Sequence, residues 1–147
     1  MRALLQRVTA ARVTIDDQVA GSIGRGWAIL VGVSPDDTPE IARKLAEKIA
    51  NLRCFEDEAG KMNRSALEIQ AEMLVVSQFT LYADTSRGRR PSFVRAAPPE
   101  LADPLVTRFA DDLRDFGFRV ATGRFGAHML VRIDNDGPVT VWLDSEP

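Results

Sequence analysis

Cysteine is almost missing from this chain. Cys54 stands alone among 147 residues, so no intrachain disulfide can form and the disulfide-dense secreted scaffolds are excluded. Histidine is as scarce, with only His128, and one cysteine with one histidine cannot supply the ligands of a zinc framework. Lysine is confined to Lys44, Lys48 and Lys61; an arginine bias of this kind fits a GC-rich genome as readily as any chemistry. No apolar run approaches the roughly 20 residues that cross a bilayer, and the longest, Trp27–Val33, has the length of a strand. Nor is there an excess of charge. The 19 basic and 21 acidic residues give a net charge of −2, so nucleic-acid binding would have to come from a local patch. No secretory signal pattern is visible at Met1–Ala11, which together with the single thiol suggests a reducing, cytoplasmic setting and no membrane partner.

What is present is an ordinary globular composition, 45% hydrophobic and 27% charged, enough for one real core. One domain over residues 1–147 is expected. Ala3–Val8 is β-prone, Val13 and Ile15 alternate with polar residues, and Asp16-Asp17 is a turn signal before a strand at Val19–Ile23, which suggests a hairpin. The unbroken Trp27–Val33 reads as a strand covered on both faces. A helix follows. Asp37 or Thr38 can cap it, Pro39 suits its first turn, and Ile41, Leu45, Ile49 and Leu52 give its apolar stripe. Asp57–Gly60 reads as a turn and Met73–Thr80 as a central strand that becomes polar at its end. A second helix between Pro98 and Gly117 carries Leu101, Leu105, Phe109, Leu113 and Phe116, and Pro104 places the start of its regular part nearby. Phe118–Ala121, Met129–Ile133 and Val139–Leu143 complete the chain as three short strands. The order predicts an α+β fold, a mixed sheet with two main helices on one side.

Four segments depart from core patterning. Ser77-Gln78-Phe79-Thr80 places two hydroxyls and an amide where a strand leaves the core, either a functional edge or a strand running out into loop. Thr85–Arg95 gathers Arg87, Arg89, Arg90 and Arg95 with Phe93 and no acidic residue. It is a phosphate or RNA footprint or a solvated basic loop. Asn135-Asp136-Gly137-Pro138-Val139-Thr140 carries a strong turn signal that a hairpin alone would explain, but Gly-Pro also admits a cis peptide and a close backbone approach. Gly123–Ala127 reads as a tight, ligand-facing loop without the pattern of a phosphate-binding loop. His128 follows it in an expected strand and reads as structural or superficial, and Cys54 as core. Any hydrolytic chemistry here would use little side-chain acid–base catalysis.

At these segments the sequence resembles the D-aminoacyl-tRNA deacylases of the bacterial and eukaryotic type. The two signatures of that family, Ser-Gln-Phe-Thr and Asn-x-Gly-Pro-Val-Thr, stand at Ser77–Thr80 and Asn135–Thr140. The opening MRALLQRV, the stretch Leu74–Pro91, the phrase Arg53–Asn63 and the ending GPVTVWLDS match as well, across nearly the whole chain. The resemblance implies a cofactor-free hydrolase that edits D-aminoacyl-tRNA and mischarged glycyl-tRNA. It implies a half-barrel homodimer with active sites at the subunit interface. There a cis Gly137-Pro138 peptide would reach into the partner's pocket and reject L-amino acids, with Asn135, Val139 and Thr140 around it. Ser77, Gln78, Phe79 and Thr80 would form the pocket floor, and the terminal 2′-hydroxyl of the tRNA would assist hydrolysis. The arginine loop is the expected acceptor-stem contact. His128 replaces the acidic residue common at that position in the family. A non-catalytic nucleic-acid-binding protein on the same scaffold is the competing expectation.

Overall fold

The computed structural model describes residues 1–145; Glu146 and Pro147, the end of the expected domain, lie outside the described residues. The chain order is β1 (Arg2–Ile15), β2 (Gln18–Ile23), β3 (Gly26–Gly32), α1 (Pro39–Asn51), β4 (Phe55–Glu56), β5 (Met62–Arg64) and β6 (Glu72–Ser77). After a 3-10 turn (Phe79–Tyr82) come α2 (Pro99–Asp115), β7 (Arg119–Thr122) and β8 (Leu130–Asp144).

The main sheet runs β2-β1-β3-β6-β7, with β8 on the other side of β1. Pairings to β1 are antiparallel; β3–β6 and β6–β7 are parallel. This is the expected mixed sheet, curled into a half-barrel. Asp16 and Asp17 both take positive φ, 48° and 62°, as a two-residue hairpin turn requires.

Alternation divides the sheet into two apolar faces. Ala3, Leu5, Trp27, Ile29, Met73 and Val75 face the helices and pack against Leu45, Ile49, Phe109 and Leu113. Val8, Val13, Ala28, Leu74 and Val76 form a smaller cluster on the opposite face. That explains why β3 and β6 read as nearly continuous apolar runs.

The helices form largely as their sequences direct. The Thr38 hydroxyl accepts the Ile41 amide at 3.4 Å, so Thr38 is the cap. Asp37 is buried instead, taking the Ser34 amide at 2.7 Å and the Met1 ammonium. At the other end of α2, Gly117 has φ +95° and the Phe118 amide reaches back to the Leu113 carbonyl at 3.3 Å. Between the helices, fully buried Asp112 takes Arg43 of α1 and Arg108 of α2, each at 3.1 Å, on one oxygen.

Three expectations are corrected. The helix α2 begins at Pro99, five residues before Pro104, which sits inside it on the exposed side. There the carbonyl that loses its partner can turn to water. The strands expected at Met129–Ile133 and Val139–Leu143 are one long strand, just as Ala3–Val8 and the Val13–Ile15 stretch both belong to β1. Finally, Met73–Thr80 leaves the sheet at Ser77 and tightens into the 3-10 turn.

Candidate active site

Ser77 ends β6 opposite Val31 of β3, and the Gln78 amide donates to the Val31 carbonyl at 2.8 Å. The backbone then turns sharply. The Leu81 amide bonds Gln78 O at 3.3 Å and the Ala83 amide bonds Thr80 O at 3.0 Å. This close approach needs Gly32. A Cβ there would lie 2.9 Å from Gln78 O and 3.2 Å from the Tyr82 ring. Arg2 fixes the far end of the turn. It donates to Leu81 O at 3.1 Å, pairs with Asp144 at 2.9 Å, and lies 4.4 Å above the Tyr82 ring.

The turn forms one wall of a cavity of about 620 Å3. Ser77, Gln78 and Phe79 line it together with Phe93, Ala97 and Val106, and with Phe125, Ala127, His128 and Met129 from the segment between β7 and β8. The lining is apolar apart from Ser77, Gln78 and His128, and His128 is its only ionisable side chain. His128 lies in the loop between β7 and β8, exposed, and not in a strand as expected. Of the Gly123–Ala127 loop, Phe125, Gly126 and Ala127 line the cavity. Thr80 does not line the cavity; its hydroxyl accepts a hydrogen bond from the side-chain Nε2 of Gln78.

The arginine segment is a closed loop. Asp84 and Ser92 exchange backbone hydrogen bonds at 2.8 and 2.9 Å. Hydrogen bonds from the Ser86 hydroxyl and amide hold the Asp84 carboxyl below the usual carboxylate range; burial opposes this and Arg95 adds to it. Arg87, Arg89 and Arg90 sit exposed at the tip, and Arg95 is exposed where the chain returns. Phe93 meets Phe79 edge to face at 5.0 Å, so the loop that carries the arginines ends on the rim of the cavity.

The second motif is not a hairpin. Gln6 of β1 pairs with Thr140 and Val8 with Asn135, so four residues, Asp136–Val139, oppose Arg7 alone. The pairing continues on both sides, and the motif is a bulge thrown out from a continuous edge strand. Asn135 ties its base by donating to Arg7 O at 2.9 Å and Val139 O at 3.2 Å. The Thr140 hydroxyl donates to Gln6 at 2.6 Å. Within the bulge the Gly137-Pro138 peptide is cis, and Gly137 has φ +114°. A Cβ there would fall 2.8 Å from a Val139 methyl and 3.1 Å from Arg7 Nη2. Gly137 and Pro138 are exposed.

Beneath the bulge lies a residue that patterning passed over. Arg7 is buried, donates to Cys54 O at 2.8 Å, and pairs with Asp136 at 3.1 Å and Glu56 at 3.7 Å. The Asp136 contact is an ion pair without hydrogen-bond alignment. The signal was its register. Arg7 follows Ala3 and Leu5 on the inward face of β1, where a charge needs partners. Burial pushes the Cys54 thiol up, with Arg7 opposing weakly, so Cys54 is not an activated nucleophile.

Within the chain the two motifs do not come together. Asn135–Thr140 lies three strands from Ser77 across β1 and β3, about 14 Å at the usual strand spacing of about 4.8 Å. No residue of the bulge lines the cavity. Among the described residues no group of three His, Cys, Asp or Glu could hold a metal ion, and no helix is long and apolar enough to cross a membrane.

Comparison with known proteins bears on this arrangement. A family model described as D-Tyr-tRNA(Tyr) deacylase matches residues 4–144. A D-aminoacyl-tRNA deacylase of Roseiflexus sp. (strain RS-1) is 62% identical over 145 residues, covering 99% of this chain and 94% of that protein. Another, from Symbiobacterium thermophilum, is 57% identical over 146 residues, covering 99% and 97%. Among solved structures, a c-Myc DNA Unwinding Element Binding Protein matches with a TM-score of 0.93 and 43% identity over 100% of both chains. A structure described as a "probable eukaryotic D-amino acid tRNA deacylase" has a TM-score of 0.85, covers 97% of each chain and is 20% identical, which shows the fold. With the family model spanning both motifs and relatives this similar over 94% and 97% of their lengths, the chain belongs to the D-Tyr-tRNA(Tyr) deacylase family.

Proposed function

We propose that this protein hydrolyses the ester of D-aminoacyl-tRNA to free tRNA and amino acid, accepts glycyl-tRNA, and spares L-aminoacyl-tRNA. The observation that carries the reading is the presence of both family signatures within a full-length family match. In the proposed reaction water attacks the ester carbonyl and the bond from the acyl carbon to the ribose oxygen breaks. The proton of the water passes through the neighbouring 2′-hydroxyl to the departing ribose oxygen. The chain supplies orientation and electrostatics. The leading N–H groups of the 3-10 turn, at Phe79 and Thr80, would polarise the carbonyl, and Ser77 and Gln78 would hold the terminal nucleotide. Thr80 acts by position, since no base stands beside its hydroxyl and an unactivated hydroxyl is a poor nucleophile.

Chiral selection in this reading falls to Gly137 and Pro138. Their carbonyls would lie against the substrate Cα and leave no room for an L side chain. The separation of the two motifs in one protomer supports a homodimer in which the exposed bulge of one copy completes the cavity of the other. Asn135, Val139 and Thr140 hold that bulge. Arg87, Arg89, Arg90 and Arg95 would meet acceptor-stem phosphates, which makes binding salt-dependent. The activity needs no cofactor, belongs in the cytoplasm with the tRNA pool, and occupies one domain over residues 1–147.

A second reading, a nucleic-acid-binding protein without catalysis, is favoured by the similarity to a c-Myc DNA Unwinding Element Binding Protein. Paired deacylation separates the two. D-tyrosyl-, L-tyrosyl- and glycyl-tRNA are incubated with the same purified protein. Loss of the D and glycyl esters with the L ester spared is expected. Equal loss of D and L would discard the Gly137-Pro138 filter. Intact esters with tRNA bound would leave the binding protein.

A further inference from the structure

Arg12 of β1 pairs directly with Arg132 of β8 on one side and with Ser22 of β2 on the other. Residues in register on an antiparallel sheet project to the same face with Cβ atoms about 4.5–5.5 Å apart. Two guanidinium groups and a hydroxyl therefore stand in one row across three strands, all exposed. They line a cleft of about 340 Å3 with Ala10, Ile23 and Asp134. Neither arginine has an ion-pair or hydrogen-bond partner among the described residues. Asp134 lies on the same face two residues along β8, so the row keeps a net positive charge. Alternation sends Arg12 and Arg132 to the face opposite Val13 and Val131, which pack into the inner apolar cluster. The row is thus separate from the cavity, although Val131 borders that cavity.

Like charges placed directly opposite destabilise a sheet. An anion between them reverses the sign of that term, and a planar guanidinium fork suits phosphate oxygens. In a chain with net charge −2, polyanion binding depends on such local patches. We propose that Ser22, Arg12 and Arg132 form a second RNA contact that holds backbone phosphates of the tRNA beyond its terminal nucleotide. This rests on the deacylase reading for the identity of the polyanion.

Three proteins test it: wild type, Arg12→Gln/Arg132→Gln, and Arg12→Lys/Arg132→Lys. Binding of uncharged tRNA is measured across a salt series. The glutamine pair should weaken binding about tenfold at low salt and flatten the slope of log K against log salt by about 1–2. The lysine pair should keep most of the affinity. KM for D-tyrosyl-tRNA should rise with kcat unchanged, and hydrolysis of D-tyrosyl-adenosine, which has no phosphate, should not change. Equal affinity and slope in wild type and the glutamine pair would overturn the proposal. So would an equal loss on D-tyrosyl-adenosine, which would mean the pocket itself was damaged. Should wild type bind tRNA through the row yet leave D-tyrosyl-tRNA intact, the row stands and the deacylase reading falls.

Discussion

Replacing Arg7 with methionine keeps most of the buried volume and removes the polar contacts that its guanidinium makes beneath the Gly137 bulge, while the Asn135 contacts with Arg7 O and Val139 O stay in place. The structure sets the size of the effect. The bond to Cys54 O, at 2.8 Å with a charged donor, is worth about 1.5–3 kcal/mol, and its loss leaves a carbonyl without that partner. The Asp136 pair, on a side chain 44% exposed, adds about 0–1 kcal/mol, and the longer Glu56 pair adds almost nothing. The sum is about 2–4 kcal/mol. At about 2–4 °C per kcal/mol for a chain of this size, thermal unfolding should fall by roughly 4–16 °C. The functional effect should be sharper. Asp136 and the approach of Arg7 Nη2 to Gly137 fix the depth of the bulge, so D-tyrosyl-tRNA hydrolysis should slow and the D-to-L rate ratio should shrink. Arg7→Lys gathers its donors on a single nitrogen, where Arg7 reaches its partners from three nitrogens of a rigid fork, and should restore stability better than it restores the ratio. Unfolding and paired deacylation are run on the same preparations. A lowered melting temperature with an unchanged D-to-L ratio would refute the reasoning and leave Asn135 as the residue that shapes the bulge.

Three further outcomes follow from local geometry. Asp112→Ala removes a carboxylate shared by Arg43 and Arg108; both arginines are about half exposed and can rehydrate. The loss should be about 2 kcal/mol, below the 3–5 typical of a broken buried pair, and denaturant unfolding measures it. Gly32→Ala drives a methyl against Gln78 O and the Tyr82 ring. An overpacking cost of about 1–3 kcal/mol should come with a larger fall in kcat/KM, and full activity would show that the 3-10 turn can shift freely. The Asp84 carboxyl is held low chiefly by Ser86, so its folded value lies below its unfolded one. Its contribution to closing the arginine loop is complete above the unfolded value of about 3.9 and fades as pH drops through the folded value. An NMR titration should place Asp84 below ordinary carboxylates and move it upward in Ser86→Ala; no movement would remove Ser86 as the cause.

The elements held by local signals were readable from sequence. Thr38-Pro39-Glu40 opens α1, Gly117 closes α2, and Asp16-Asp17 turns β1 into β2, each through chemistry within a few residues. What stayed hidden depends on pairing between distant segments. Asn-Asp-Gly-Pro signals a change of backbone direction, and it does change direction, but pairing of Asn135 and Thr140 to β1 keeps β8 running through. Pro104 reads as a helix boundary because sequence does not show that its side of α2 faces water. Ser77 and Gln78 stand out as polar groups at a strand end, yet only the fold shows that Phe93 and His128 share their cavity. The separation of the two signatures by β1 and β3 is a property of strand order, which no motif encodes.

His128 offers the clearest choice between two ways of hydrolysing the ester. It is the one ionisable side chain in the cavity lining, so it is the one lining group able to act as a general base. A positioned base contributes about 10²–10⁴-fold. If His128 removed the proton from the attacking water, His128→Gln would lower kcat on D-tyrosyl-tRNA by that factor at an unchanged fold, since the residue is exposed and in a loop. The proposed route through the ribose 2′-hydroxyl makes the opposite demand. His128→Gln should then keep kcat within about threefold, a change below the range of base catalysis. Replacing the terminal ribose by its 2′-deoxy form should abolish turnover in wild type and variant alike. A variant that loses activity while the 2′-deoxy substrate is still hydrolysed by wild type would move the catalytic proton from the RNA to the protein.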